Sequence, residues 1–444
     1  MKRRLVLAAL IAAAALPIPA QAQQWLSDRR FGEGIGLRVG DLELHPAIGA
    51  EFGYDSNYFQ RDDSEGVIDA YRLRITPSLS LTTLGAQRRG ANPGMPPALN
   101  FRASAFASYN ELFAADSENS DVVRDQRHVK LGASLNLDIA PSRPLGADLH
   151  ADYTRIAEPS NDPNEEFAFD RNAIRTGAGL TWRPGGGLFE WRLGYELQAT
   201  FFEADQFQLY DNLQHSIRMR GRWRFLPRTA LLYDGQYTFI RYAQELSGPD
   251  PSDGDIVRTR FGINGLVTNR LSMLAMVGWV SSFYENSPEE ADTVTAQAEA
   301  KYFVMAGPNQ TNEASAATGL STVALGYIRD VTNSYLSSYF QRDRGYLNFV
   351  YLLGGMAVLS LEGGFSHLQF PSGPLYEAFD QNRVDVRFFA EYRLSNTVGL
   401  NGTVLYDVNM SDELAPQTAV MPPPATEELD FSRWQAYLGL RWFM

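Results

Sequence analysis

Arg218, Arg220, Arg222 and Arg224 recur at every second residue, with Ile217, Met219, Gly221, Trp223 and Phe225 between and after them. In an extended strand successive side chains point to opposite faces, so the four guanidiniums share one face and the apolar groups the other. Fixed positive charges in a row attract anions, and their forked donors suit carboxylate, phosphate and hydroxyl groups. Arg72, Arg74, Arg258, Arg260 and Arg387 sit in the same phase of their own runs, as do Arg102, Arg175, Arg192, Arg393 and Arg441. Acids share that phase at Asp138, Asp148, Asp152, Glu190, Glu196, Glu299, Glu362, Asp385, Glu391 and Asp407. Two readings follow. Arginine and acid pair across neighbouring strands and stiffen a wall, or the arginines form a ladder open to anionic or hydroxyl-rich solutes. The 218–224 run favours the second, because no run of acids adjacent in sequence matches it.

Other chemistry is sparse. The chain has no cysteine, which removes disulfides, thiolate catalysis and cysteine-ligated metals. His45, His128, His150, His215 and His367 lack metal-ligand spacing and are expected to be polar interior fillers. No Ser-His-Asp order, HExxH helix or phosphate-binding glycine loop is present. Asp250, Asp253 and Asp255 resemble the start of a calcium loop but lack its closing glutamate. The expectation is a protein without catalytic, cofactor or metal sites, and not an enzyme.

The elements that must position the arginines are strands. At the C-terminal end Trp434, Ala436, Leu438, Leu440, Trp442 and Met444 alternate with Arg433, Gln435, Tyr437, Gly439 and Arg441. One face apolar and ringed by Trp, the other polar, fits a strand between lipid and a barrel lumen. A half-buried strand of a soluble sandwich has the same alternation. The N-terminus decides for export: Lys2, Arg3 and Arg4, an apolar stretch at 5–16, then Ala20 and Ala22 read as a signal peptide over 1–22. The mature chain is expected to begin near Gln23, with no cysteine there for lipid anchoring.

Eighteen alternating runs follow, roughly 44–54, 70–82, 98–110, 126–139, 145–156, 171–183, 188–202, 212–225, 229–242, 256–268, 270–284, 293–305, 318–329, 337–352, 356–370, 382–394, 397–408 and 431–444. Each has the length of a tilted membrane-crossing strand, and an even number returns both termini to one side. The run at 337–352 alternates least. Every second break tends to be short and turn-like, as at 183–187, 226–228, 269–270, 353–355 and 395–396, and such turns belong in the periplasm. Breaks 83–97 and 306–317 are longer than that rule predicts. The other nine breaks hold 33 of the 52 acids, against Arg61 and Arg124 alone. The net charge of −13 is thus concentrated on an outer rim, either as ordinary solvated loops or as a surface that binds cations or repels returning polyanion.

Arginine facing lipid costs about 2–4 kcal/mol near the bilayer midplane, so the ladder must line the lumen. Trp182, Trp191, Trp223, Trp279, Trp434 and Trp442 take the opposite phase, where interfacial tryptophans form a girdle. Phe202 and Phe389 fall in the lumenal phase and could stack on sugars, but two rings make no continuous track.

Gly34, Gly36 and Gly40 around Leu37, Arg38 and Val39, then Gly53-Tyr54-Asp55-Ser56-Asn57, resemble the opening of the putative β-barrel porin 2 family. The resemblance implies a large outer-membrane barrel and polysaccharide passage as its role; it carries over no catalytic residue.

The expectation is therefore all-β: a transmembrane antiparallel up-and-down β-barrel of about eighteen strands with periplasmic termini. Residues 1–22 form the signal peptide, 23–41 a short periplasmic segment and 42–444 the barrel, in the outer membrane of a Gram-negative bacterium. The expected function is a channel for secreted exopolysaccharide, with a passive porin for small anions or sugars, or a closed structural or adhesive barrel, as alternatives. Expected partners are outer-membrane lipid and lipopolysaccharide, the barrel assembly machinery and periplasmic polysaccharide-export components, with no nucleic acid.

Overall fold

The computed structural model describes residues 34–62, 66–84, 98–157, 170–203, 205–243, 253–285, 290–305, 321–334, 338–353, 356–372, 377–411 and 429–444. The expected signal peptide, the calcium-like Asp250 and most of the breaks 83–97, 157–170, 243–255, 306–317 and 409–430 lie outside them. A short β1 (Leu37–Val39) precedes eighteen long strands. These are β2 (Leu42–Asp55), β3 (Ala70–Thr83), β4 (Leu99–Ala114), β5 (His128–Ile139), β6 (Leu145–Ile156) and β7 (Arg171–Trp182). They continue with β8 (Phe189–Phe202), β9 (Asn212–Leu226), β10 (Thr229–Tyr242), β11 (Gly254–Thr268), β12 (Leu271–Tyr284) and β13 (Asp292–Met305). The last are β14 (Ser321–Asn333), β15 (Tyr339–Leu353), β16 (Ala357–Phe370), β17 (Phe379–Arg393), β18 (Val398–Met410) and β19 (Phe431–Phe443). The expected runs correspond to β2–β19 one for one. The largest differences are at β4, which runs on to Ala114, and β14, which is shifted to 321–333.

Each of β2–β19 pairs antiparallel with its sequence neighbours, and β19 pairs back onto β2. Closure satisfies every sheet edge, the condition for backbone to cross hydrocarbon. Burial then separates a membrane barrel from a soluble sandwich. Leu325, Leu438 and Val277, all on the apolar phase, are 64%, 63% and 59% exposed on the outside. A sandwich would bury that face; only lipid can receive it.

The glycine–aromatic motif near the N-terminus closes the barrel. Gly53 lies where a Cβ would come within 2.0 Å of the Tyr437 ring, so only glycine admits that ring against β2. Asp55 receives two hydrogen bonds from Arg433, one at 2.8 Å, and a third from Gln435 at 2.7 Å. The Ser56 N–H donates to the Trp434 carbonyl at 3.0 Å, and Asn57 donates to Ser432 and to Arg61 carbonyls. At the other end of β2, the Met444 N–H donates to the Pro46 carbonyl at 3.0 Å. There β19 ends, and β1 takes its place: Leu37–Val39 pairs with residues 42–44 of the same β2 edge. A single strand is thus covered in sequence by both ends of the chain.

At the end carrying β1 and Met444 the turns among the described residues are tight. Gly185, Gly186 and Gly187 have φ of 64°, 68° and 86°, left-handed values that disfavour any side chain. At the opposite end longer loops cover the lumenal side of the rim. Tyr58 and Ile68 from the β2–β3 loop and Val123 from α1 (Ser120–Asp125) bury Ala70 and Leu112, which lie in the lumenal phase. A second inward apolar cluster, Phe340, Phe370 and Phe379, stacks on β15–β17, with Phe370 and Phe379 centroids 4.5 Å apart. Inward Phe340 and Leu352, with polar Gln341 and Asp343 on the outward phase, account for the poor alternation of β15.

Candidate functional site

The candidate site is the lumenal wall. On β9 the four arginines face inward, and their acids come from the flanking strands β8 and β10. Arg218 donates to Glu196 at 3.0 Å, Arg222 to Glu190 at 3.2 Å, and Arg220 lies 3.5 Å from Asp234. Arg224 donates to the Gly187 carbonyl at 3.0 and 2.7 Å. Of the two readings of the ladder, cross-strand pairing is the one found at Arg218, Arg220 and Arg222. Acids separated in sequence are brought into register by the sheet, where Asp234 lies opposite Arg220 and Glu190 opposite Arg222.

Pairing does not neutralise this wall, because each acid is shared. Glu196 also lies 3.8 Å from Arg175, Glu190 accepts from Arg183 at 2.9 Å, and Asp234 accepts from Arg260 at 2.9 Å. Six arginines meet three carboxylates. Arg220 and Arg175 remain 53% exposed, so the surplus positive charge faces the channel.

The other candidate arginines differ among themselves. Arg74 donates to Glu51 at 2.7 Å, and Arg258 bonds Asp330 and Gln236. Arg72 is buried at the seam against Tyr437, its guanidinium 4.8 Å from the ring centre. Arg387 is exposed, opposite Glu362 in register, and its guanidinium forms no ion pair among the described residues. It lines a concavity of about 580 Å³ with Arg344, Arg383, Asp385 and Asp407.

The wall formed by β2–β6 has a different chemistry. A concavity of about 530 Å³ there is lined by the hydroxyls of Thr76, Ser78, Ser80, Ser104, Ser108 and Ser134, together with charged Glu51, Arg74, Lys130, Asp152 and Arg441. Thr76 bonds Ser108 and Ser104 bonds Ser134, both at 2.7 Å. Phe106 stands among them, in the lumenal phase of β4, and is 42% exposed. Sequence reasoning passed over it in favour of Phe202 and Phe389. Phe202 is 5% exposed and packed on Tyr210, so it cannot meet a solute. The legible signal was a phenylalanine in the phase otherwise held by Arg102, Ser104 and Ser108.

On the outer face, Trp182, Trp223 and Trp442 are exposed near the tight turns, and Trp191 lies 5.5 Å from Tyr233 in a stacked pair. Trp279 and Trp434 lie toward the loop end, Trp279 donating to Asp292 and Trp434 packed 4.9 Å from Tyr54. Two histidines depart from the expected interior placement. His215 is on the outer face, bonded to the Tyr195 hydroxyl at 2.7 Å and stacked 4.7 Å from Phe239, and His367 contacts Asn382 there. The rim acids also meet more cations than the loops alone contain, because strand ends supply them. Arg127 lies 2.7 Å from Glu111, Arg241 3.1 Å from Asp255 and Arg329 3.6 Å from Asp343. Arg155 bridges Glu203 at 2.6 Å and Asp170 at 3.0 Å. Its hydrogen bond holds the Glu203 carboxyl below the ordinary range, whereas burial pushes that of Asp170 up.

A closed eighteen-stranded barrel, apolar outside and charged within, defines a porin-type channel of the Gram-negative outer membrane. Residues 31–417 match the family model described as Putative beta-barrel porin 2, and the chain belongs to that family. No curated protein matches it. Among solved structures it is similar to three Pseudomonas aeruginosa proteins. They are OpdK with vanillate (10% identity, 90% of this chain and 99% of that one, TM-score 0.45), OccK9 (OpdG) (11%, 91% and 99%, 0.46) and OpdO (12%, 91% and 98%, 0.45).

Proposed function

We propose that the barrel is a channel through which a secreted, acidic exopolysaccharide leaves the cell, and that it performs no catalysis. The observation that carries this reading is the wall of β7–β11, where six arginines share three carboxylates. A fixed excess of positive charge raises the local concentration of a polyanion. Sharing of each carboxylate keeps every arginine oriented without cancelling the field. Such pairs are part-exposed, so a passing uronate or phosphate can exchange with the resident acid at little cost. The acidic outer rim then disfavours re-entry of released polymer. The partners this reading calls for are lipopolysaccharide around the rim and periplasmic polysaccharide-export components beneath the turns.

The test is a chromosomal deletion complemented by wild type or by the variant with Arg218, Arg220, Arg222 and Arg224 all changed to Gln. Cell-free acidic polymer should fall on deletion, return with wild type and return only in part with the variant. Unchanged polymer release in the deletion strain would remove the export reading. Anion selectivity of the purified barrel with small ions would then favour a general anion porin, for which exposed Arg387 is the specific support.

A further inference from the structure

We infer that the wall formed by β2–β6 carries a saccharide-binding subsite whose floor is the ring of Phe106. This deepens the export reading and rests on it for the identity of the solute. Three observations converge. Phe106 projects into the lumen from the middle of β4 and keeps 42% of its surface exposed, although water is a poor neighbour for an aromatic ring. It lies across Gly132 of β5, its register partner, where a Cβ would come within 2.2 Å of the Phe106 Cε1. Gly132 therefore lets the ring lie along the wall rather than stand across the channel. Around the ring, Ser78, Ser104, Ser108 and Ser134 line the same concavity, with Asp152 and Lys130 at its margin.

This set matches a pyranose. The negative face of an aromatic ring attracts the polarised C–H groups on one face of a sugar. Serine hydroxyls both donate and accept, as sugar hydroxyls do, so they can exchange partners while a chain slides past. The Ser104–Ser134 and Thr76–Ser108 bonds keep the hydroxyls satisfied when the subsite is empty. A small aromatic acid would instead call for a dominant cation. Of the cations lining this concavity, Arg74 is engaged by Glu51 at 2.7 Å and Arg441 by Glu391 at 3.1 Å, while Lys130 lies beside the hydroxyls, so the described residues form no cluster of cations there.

The experiment uses the full chain in planar bilayers, with maltohexaose and a hexamer of mannuronate as probes and benzoate as the control. Wild type should show saccharide-dependent current interruptions. Phe106→Ala should shorten them roughly three- to tenfold, and Phe106→Trp should preserve them, as expected for loss or retention of one stacking face. Gly132→Val keeps every hydroxyl and the phenylalanine but lifts the ring off the wall, and should behave like Phe106→Ala. Salt conductance and heat-modifiable mobility should be those of wild type in Phe106→Trp, which guards against a folding defect. Equal interruptions in wild type and Phe106→Ala would overturn the subsite, as would benzoate block of similar strength that disappears with Phe106. Those outcomes leave polymer release in cells untouched. Loss of the export reading would instead appear as normal release from the deletion strain, with maltohexaose block still dependent on Phe106.

Discussion

Arg387 and the β9 arginines carry the same charge but occupy different positions, and mutation should separate them. Arg387 is exposed and without an ion-pair partner among the described residues, so Arg387→Gln removes field and little else. A unit charge contributes about 0.5 kcal/mol at about 8 Å in water, with opposite sign for anion and cation, so the anion-to-cation permeability ratio should fall by up to about fivefold. Reversal potentials at low salt check this, and the effect should vanish at 1 M, where the screening length is about 3 Å. The quadruple Gln variant of the β9 ladder should lose more selectivity while staying folded. Glu196, Glu190 and Asp234 keep Arg175, Arg183 and Arg260, and exposed pairs are worth only about 0–1 kcal/mol each. Coincident reversal potentials for wild type and that variant would contradict a positive wall. Asp55 is the opposite case. It is 1% exposed and holds the buried Arg433, so Asp55→Asn leaves a buried cation poorly compensated, at a cost of about 3–5 kcal/mol. The temperature at which the barrel loses its compact mobility in detergent gels should drop clearly, and should recover when Arg433 is also changed to Leu.

At the scale of elements, the closing strand is the sensitive one. Phe443 is fully buried on the lumenal side, 4.6 Å from the Arg393 guanidinium, while Trp442 faces out and Met444 is tied to Pro46 and His45. Deletion of residues 442–444 removes all three anchors and leaves residues 46–48 of β2 unpaired on the edge that faces β19. An unpaired strand edge in lipid leaves several polar groups unsatisfied. The expected result is no heat-modifiable protein in the outer membrane and degradation in the periplasm. Normal accumulation would show that β1 alone can cover that edge.

For the whole molecule, orientation is the testable property. Loops are on the side of α1, and the described tight turns are on the side of Gly185–Gly187, β1 and Met444. The native chain has no cysteine, so single introduced cysteines report cleanly. An impermeant maleimide should label Asp116→Cys on intact cells and reach Leu188→Cys only after permeabilisation. Labelling at 188 with protection at 116 would invert the barrel. The inward packing of Tyr58, Ile68 and Val123 places apolar side chains over the lumenal side of the rim at the loop end.

The alternation of apolar and polar residues by itself determined the number of long strands, their order and which face the lumenal arginines take, but not the short β1. Those are local properties: side chains alternate with period two, and neighbours along an up-and-down barrel are neighbours in sequence. Arg218, Arg220, Arg222 and Arg224 could be placed on one face from spacing alone, as could the exposed row ending at Trp442. What the spacing could not show is lateral register, because it depends on strand stagger and closure. Only the folded sheet brought Glu190, Glu196 and Asp234 onto the β9 arginines, joined Asp55 to Arg433 across nearly the whole chain, and laid Phe106 over Gly132. The outward turn of His215 and His367 was within reach of the same alternation, since His215 shares the phase of Ile217 and Trp223. The seam role of Gly53, Asp55 and Asn57 was not, because it exists only where the first and last long strands meet.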